Sequence, residues 1–289
     1  MEIFELRYFL GVAEFQNIHR ASEKMRISPA SLSKAISRLE DELAVKLFSR
    51  QGRNIRLTDH GLLLQRRASD IIRLEESART EVGGHQGTIH VVIAGAETLL
   101  SKMGVALSAS IQEKFAQAIF EFHPTADELA LEQVIRGDAH LAIVTSEVPK
   151  QKELASKLLG ESKFQTFVGK GHPLYARAKS KKPIHVSELL QYSFVSPSSP
   201  LLGKVGLKQS LDGWRDDQFQ RKVGYLTSSL KMLEEYVVSG RAVAYLPDYF
   251  CENLSLEVIT VEGCPYSCSQ KVRVVARNPK ETGWLNQIF

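Results

Sequence analysis

The feature that most restricts the fold of this chain lies between Glu5 and Thr58, where three short helical periods run into a hairpin signal that carries arginines. In Glu5 to Phe15, Leu6, Phe9, Leu10 and Ala13 recur at helical spacing, which predicts an amphipathic helix whose apolar stripe needs a partner. Arg20 to Met25 offers a second, short helix, with Ala21 and Met25 four apart and Asn17 or His19 where an N-cap would stand. Arg26-Ile27 makes the turn. Ser28-Pro29 reads as an N-cap followed by Pro at the first helical position, where the missing N–H costs nothing, and opens a third helix running to about Leu43. Its expected buried stripe is Leu32, Ile36, Leu39 and Leu43.

The opposite face of that third helix, which begins at Ser28 and Pro29, shows Ala30, Ser31, Ser33, Lys34, Ser37 and Arg38. These small, hydroxyl and basic groups let a helix sit deep in a major groove. Val45 to Thr58 then reads as two short strands around a Gly-containing turn bearing Arg50, Arg53 and Arg56, a basic ribbon able to reach phosphates or a narrow minor groove. From Arg20 to Arg56 there are nine Lys or Arg against four acids, a local surplus of +5, whereas the whole chain carries only +4. Each piece alone is an ordinary packing unit or a solvated charge. Their order, helix, helix, Ser-capped helix and basic hairpin, fits a winged helix-turn-helix docked on double-stranded DNA.

Leu6-Arg7-Tyr8-Phe9-Leu10, Ala21, Ser28, Leu32-Ser33-Lys34-Ala35-Ile36, Leu39-Glu40, Leu47-Phe48-Ser49-Arg50 and Leu57-Thr58-Asp59-His60-Gly61 together resemble LysR-type transcriptional regulators. The resemblance implies DNA contacts at Ser28, Pro29, Ala30, Ser33, Lys34, Arg53 and Arg56. Pro29-Ala30 stands where that family often has Gln-Pro, and His19 where a capping Thr is common.

From Thr58, an N-cap candidate, to Gly83-Gly84 the chain reads as one helix of about 25 residues. Leu64, Ala68, Ile71, Ala78 and Val82 fall on alternating four- and three-residue steps, with Glu75 as the one polar member, a seam that suits either a second copy or the chain's own C-terminal half. The resemblance selects the second copy, hence a homodimer or homotetramer and an inverted-repeat promoter site.

Beyond Gly87, strand-like runs alternate with helical stretches: Thr88 to Ala94, Ile119 to Phe122, His140 to Val144, Phe164 to Gly169, Val223 to Tyr225 and Val243 to Leu246, against helices at about Leu99 to Phe115, Leu129 to Ile135, Val205 to Trp214 and Ser229 to Val238. This is an α/β signal, and ligands of open α/β sheets bind in loops after strands. Four such loops present hydroxyls: Gly95 to Thr98, Thr145-Ser146, Ser196 to Ser199 and Thr227 to Ser229. Hydroxyls at helix starts are caps more often than ligand contacts. Glu132 to Ile143, Gly171 to Leu174 and Val238 to Pro247 resemble the effector domain of the same family, a two-lobed fold similar to type 2 periplasmic solute-binding proteins. That resemblance implies a small-molecule inducer at Thr98, Ser196 and Thr227, with Thr145 a further candidate. His140 stands where the family often has Asp, and Glu97 beside Thr98 would repel an anionic inducer.

The expected class is therefore multidomain α/β: a winged helix-turn-helix at 1–58, a linker dimerisation helix at 59–86 and an effector-binding domain at 87–289, with lobe I at 88–163 plus 268–289 and lobe II at 164–267. Three cysteines, Cys251, Cys264 and Cys268, are odd in number and without His or Cys pairs at zinc spacing, so no metal and no cofactor are expected. No run of about 18 apolar residues and no leader signal is present, which points to the cytoplasm and to no membrane partner. A phosphate-cradling Gly loop and a nucleophile turn are also missing from the sequence, so no catalysis is expected.

Overall fold

A computed structural model describes residues 1–51, 54–82, 89–151, 153–204, 210–253, 255–264, 266–281, 283–286 and 288–289. The head is built from α1 (Ile3–Phe15), α2 (Ile18–Met25) and α3 (Pro29–Leu43). Asn17, not His19, caps α2 by accepting from the Arg20 N–H, and Ser28 caps α3 by accepting from the Ser31 N–H at 3.1 Å. Leu6, Phe9, Val12, Ala21, Leu32, Ile36, Leu39 and Leu47 close one apolar core. Leu43 does not join it and is 37% exposed. The inward position near the end of α3 is held instead by Glu40, which accepts from the Leu47 and Phe48 N–H groups at 2.8 and 3.2 Å as the chain enters the wing.

The wing is β1 (Phe48–Gln51) antiparallel to β2 (Asn54–Leu57). Thr58 then accepts from the Gly61 N–H at 3.0 Å and donates to the Lys46 carbonyl at 2.6 Å, capping α4 (Asp59–Val82). Gly61 is required there, since a Cβ would lie 2.2 Å from the Leu47 carbonyl oxygen. The Gly83-Gly84 stop lies outside the described residues.

The long seam divides in two. Ala68 is fully buried and Leu64 and Ile71 pack on the head core, so the first half of the stripe is covered by the chain's own α1. Glu75 pairs with Arg7 of α1 at 2.9 Å. The apolar side chains left uncovered on α4 are Leu62, Leu63, Leu74, Ala78 and Val82, the last 89% exposed.

In the C-terminal part, β3 (His90–Gly95) pairs in parallel with β4 (Ile119–Pro124) and β5 (Leu141–Val144). The crossovers are a broken helix, α5 (Glu97–Leu99), a π-segment (Leu100–Gly104) and α6 (Val105–Lys114), and then α7 (Asp127–Arg136). The 16-residue β6 (Leu154–Gly169) follows, longer than the expected strand at Phe164 to Gly169. The second lobe adds α8 (Tyr175–Lys179), β7 (Ile184–His185), α9 (Val186–Leu189), β8 (Ser193–Pro197), β9 (Lys222–Thr227), α10 (Leu230–Val238), β10 (Ala244–Pro247), β11 (Leu256–Ile259) and β12 (Val261–Glu262). The chain returns through β13 (Ser269–Arg277) to one turn of helix, α11 (Gly283–Asn286).

Along Leu154 to Lys163, β6 pairs with β13; from Phe164 onward it pairs with β10 and β11. β13 also pairs with β5, so these two long antiparallel strands carry the sheet from one lobe into the other. The expected helix at Val205 to Trp214 is not found where it can be described: 205–209 lie outside the described residues, and 210–214 form a turn. Ser210 donates to the Trp214 carbonyl at 2.7 Å, and Asp212 accepts from the Trp214 N–H at 3.2 Å, local bonds that compete with a helical ladder.

The linker helix is clamped to the first lobe. Arg277, at the end of β13 and 2% exposed, reaches Asp70 of α4 at 2.6 Å, the Arg66 carbonyl at 3.3 Å and the Ile135 carbonyl of α7 at 2.7 Å. Gly137, at φ +87°, admits this contact because a Cβ would lie 2.3 Å from that of Ser69.

Candidate DNA-binding face and effector cleft

Ser28, Ala30, Ser31, Ser33, Lys34, Ser37 and Arg38 are exposed along one side of α3, with Pro29 half-buried. Ser28 Oγ also lies 2.8 Å from Ser31 Oγ, so these two hydroxyls serve the cap first. Arg38 turns back to the buried carboxylate of Glu5 on α1 at 3.1 Å. Its charge neutralises a group inside the head, a partner far away in sequence that helical periodicity does not reveal. Lys34 makes no ion pair among the described residues and stands on the exposed side.

In the wing, Arg50 faces Ile55 and Arg56 faces Ser49 across the ladder. Strand alternation therefore sets the two arginines on opposite sides of the ribbon, Arg50 on the side shared with the half-buried Phe48 and Leu57. Arg53 lies outside the described residues. Glu40, to which the sequence assigns no functional role, sets the wing against α3. Burial works against its charge, but Lys46 at 2.6 Å and the Leu47 and Phe48 N–H groups hold its carboxyl below the usual range.

Of the four expected effector hydroxyls, Thr98 and Thr145 follow β3 and β5 in the first lobe, and Ser196 and Thr227 lie at the C-terminal ends of β8 and β9 in the second. Thr98 is fully buried at the start of α5; its hydroxyl donates to the Leu201 carbonyl at 2.6 Å, and its N–H does so at 3.3 Å. Thr145, after β5, shares its one hydroxyl proton between Asp127 at 3.0 Å and the Lys204 carbonyl at 2.9 Å. Ser196, on β8, donates to Asp212 at 3.4 Å. Thr227 accepts from the Ser229 N–H at 3.0 Å, a local turn preceding the Ser229 cap of α10.

One segment of lobe II, Leu201 to Lys204, thus bonds to Thr98 and Thr145 of the first lobe. Leu202 is fully buried, and its carbonyl accepts from the Gln270 amide at 3.0 Å. A Cβ on Gly203 would stand 2.7 Å from Thr145 Oγ1, and Lys204 Nζ pairs with Glu128 at 2.8 Å. Behind it, Gln270 faces Ser162 across the two long strands and accepts from the Tyr249 hydroxyl at 3.4 Å.

Asp127, Gln270 and Tyr249 are site residues that the sequence reading did not single out. Asp127 is 1% exposed at the first turn of α7, and one carboxylate oxygen accepts from the Thr145 and Ser146 N–H groups at 2.7 Å. An acid opening a helix directly after a strand is the signal that would have found it. His140, in place of the family's Asp, uses Nδ1 to accept from the Val92 N–H at 3.0 Å and packs on Trp284 of α11.

Residues 3–62 match the family described as bacterial regulatory helix-turn-helix protein, lysR family, and residues 83–282 match the LysR substrate binding domain. YybE of Bacillus subtilis, an uncharacterized HTH-type transcriptional regulator, is 27% identical over 254 residues, covering 86% of this chain and 83% of its own. The transcriptional dual regulator GltC of the same organism is 25% identical over 252 residues, covering 86% and 81%. Full-length OxyR of Pseudomonas aeruginosa shares the fold with a TM-score of 0.66 at 19% identity, over 100% of this chain and 92% of that one.

Proposed function

Because the chain belongs to the lysR family of bacterial regulatory helix-turn-helix proteins, as a DNA-binding transcription regulator with an effector-binding domain, we propose that a small molecule controls its promoter binding by displacing Leu201 to Lys204 from between the lobes. The observation that carries this reading is the double donation from Thr98 to the Leu201 carbonyl. An inducer that takes its place presents an acceptor, a carbonyl or carboxylate, to the same hydroxyl and N–H. Thr145, Ser196 and Thr227 are the remaining effector contacts in this reading. The response is a population shift between lobe arrangements that repositions the heads.

Ser28 to Lys34 at the start of α3 lie against the DNA, with Arg50, Arg53 and Arg56 on the backbone and Arg38 acting through Glu5. The uncovered row Leu63, Leu74, Ala78 and Val82 on α4 supports pairing with a second copy, giving a homodimer or homotetramer on an inverted-repeat site. The domains are 1–58, 59–86 and 87–289. No described helix is long and apolar enough to cross a membrane, and the regulator acts in the cytoplasm without a catalytic step or cofactor.

Fluorescence anisotropy against upstream DNA and a scrambled duplex, across salt and with or without a metabolite pool, tests this. Preferential binding that shifts with metabolites is expected, and Lys34→Ala should weaken it and lower the salt slope by about 1. Equal affinity for both duplexes, or an unchanged slope in Lys34→Ala, refutes the docking face.

A further inference from the structure

One cavity lies away from the four hydroxyls. A cavity of about 550 Å³ opens in lobe II, and Thr98, Thr145, Ser196 and Thr227 do not line it. Its walls are the rings of Phe164, Trp214, Phe219, Tyr245 and Tyr266. The polar tips of these aromatics are already engaged. Trp214 Nε1 donates to the Phe219 carbonyl at 2.7 Å, the Tyr245 hydroxyl accepts from the Cys268 N–H at 3.2 Å, and the Tyr266 hydroxyl bonds to Gln218. What the cavity offers is ring surface, with Gln165, Thr166 and Ser269 as polar groups at its margin.

Its electrostatics are neutral. Arg215 is the one charged residue among those lining it, and that guanidinium is held by Asp217 through two bonds of 2.7 and 2.6 Å while stacking 4.7 Å over Tyr266. Cys264 and Cys268 also line it, and burial pushes the Cys268 thiol up to about 11, so it stays uncharged. A charged ligand would lose its hydration here with no free counter-charge to meet it. A flat apolar one would exchange water for ring faces at contact distance.

We propose that this cavity is a second ligand site, separate from the inter-lobe cleft, that takes a neutral planar aromatic molecule of two fused rings bearing a hydroxyl or carbonyl. Its volume falls within the range of about 300 to 1,000 Å³ for small-molecule pockets, and its aromatic lining with a few polar groups matches their usual chemistry. The site touches the lobe junction on two sides. Phe164 and Ser269 sit where β6 and β13 pass from one lobe to the other. Trp214 is anchored through its N–H to Asp212, whose other oxygen faces Ser196. A ligand here therefore bears on the junction without entering the cleft.

Calorimetric titration of the full chain with naphthol, and with naphthoate as its charged counterpart, tests the proposal without reference to DNA. Single-site binding of naphthol is expected, with naphthoate at least about tenfold weaker. Ser267→Trp and Thr260→Trp, two exposed rim positions, should each weaken naphthol at least about tenfold while leaving the circular dichroism spectrum unchanged. Absence of saturable binding, equal affinity for naphthoate, or full affinity in both folded variants overturns it. Failure of this test leaves the reading of the cleft intact, because Thr98, Thr145, Ser196, Thr227 and Leu201 to Lys204 do not line the cavity.

Discussion

Asp212→Asn tests the ion pair on which lobe II is built. Arg221 and Asp212 have side chains only 2% and 1% exposed and meet through bonds of 2.7 and 3.2 Å. The guanidinium also lies 5.4 Å from the Phe194 ring and 5.3 Å from Trp214, so no water replaces a lost partner easily. Breaking a buried pair by removing one member costs about 3 to 5 kcal/mol. Asp216, 32% exposed, keeps its own bonds to Arg221 at 2.8 and 3.0 Å, which places the expected loss at the lower end, about 3 kcal/mol. With a urea slope of about 3 kcal/mol/M for a domain of this size, the unfolding midpoint should fall by about 1 M at unchanged slope, read by far-ultraviolet circular dichroism and tryptophan fluorescence. Because an apolar replacement of both members is often neutral, Asp212→Leu with Arg221→Met should regain most of that loss. A loss below about 1 kcal/mol in Asp212→Asn, or a double variant no more stable than the single, would refute the reasoning.

Two further outcomes follow from buried groups. Burial alone pushes His172 below the ordinary imidazole range, and its Nδ1 accepts from the Leu174 N–H at 3.2 Å. The unfolded chain takes up the proton near pH 6.5 and the folded chain only at lower pH, so stability falls as pH drops through about 6.5 and levels off below the folded value. Denaturant midpoints at pH 7.5 and pH 5 should therefore differ less in His172→Asn than in the parent; an equal difference in both rules out His172 as the source. Asp70→Asn removes the Arg277 carboxylate partner on the linker helix and should speed hydrogen exchange at 66–72, whereas unchanged exchange would mean that the Arg66 and Ile135 carbonyls suffice.

The head was legible because its signals are local: the Ser28-Pro29 start, the Thr58 cap and apolar residues at helical spacing fix α3, the wing and α4 directly. What the sequence could not reveal depended on distant partners. Arg38 reads as a groove-facing cation until Glu5 appears beside it, and Ala68 reads as a dimer contact until α1 covers it. The hydroxyls at Thr98 and Thr145 were identifiable, but the partners they meet on the segment from lobe II are backbone carbonyls of Leu201 and Lys204, which leave no side-chain signature. The first half of β6 was hidden because Lys157 and Glu161 interrupt the apolar run on a strand whose outer face meets water. The turn at 210–214 escaped because Asp212 answers to Arg221 rather than to its own helical register.

The strand β13 is a lever with both ends loaded. Gln270 holds the inter-lobe segment at one end and Arg277 grips α4 at the other, seven residues on, which is about 23 Å at about 3.3 Å per residue. A tilt of about 5° at the Gln270 end swings the Arg277 end by about 2 Å, several times the slack a charge-assisted bond tolerates. A rigid tilt of β13 would thus have to break either the grip on the linker helix or the strand's pairing with β5, so β13 joins the effector half mechanically to α4.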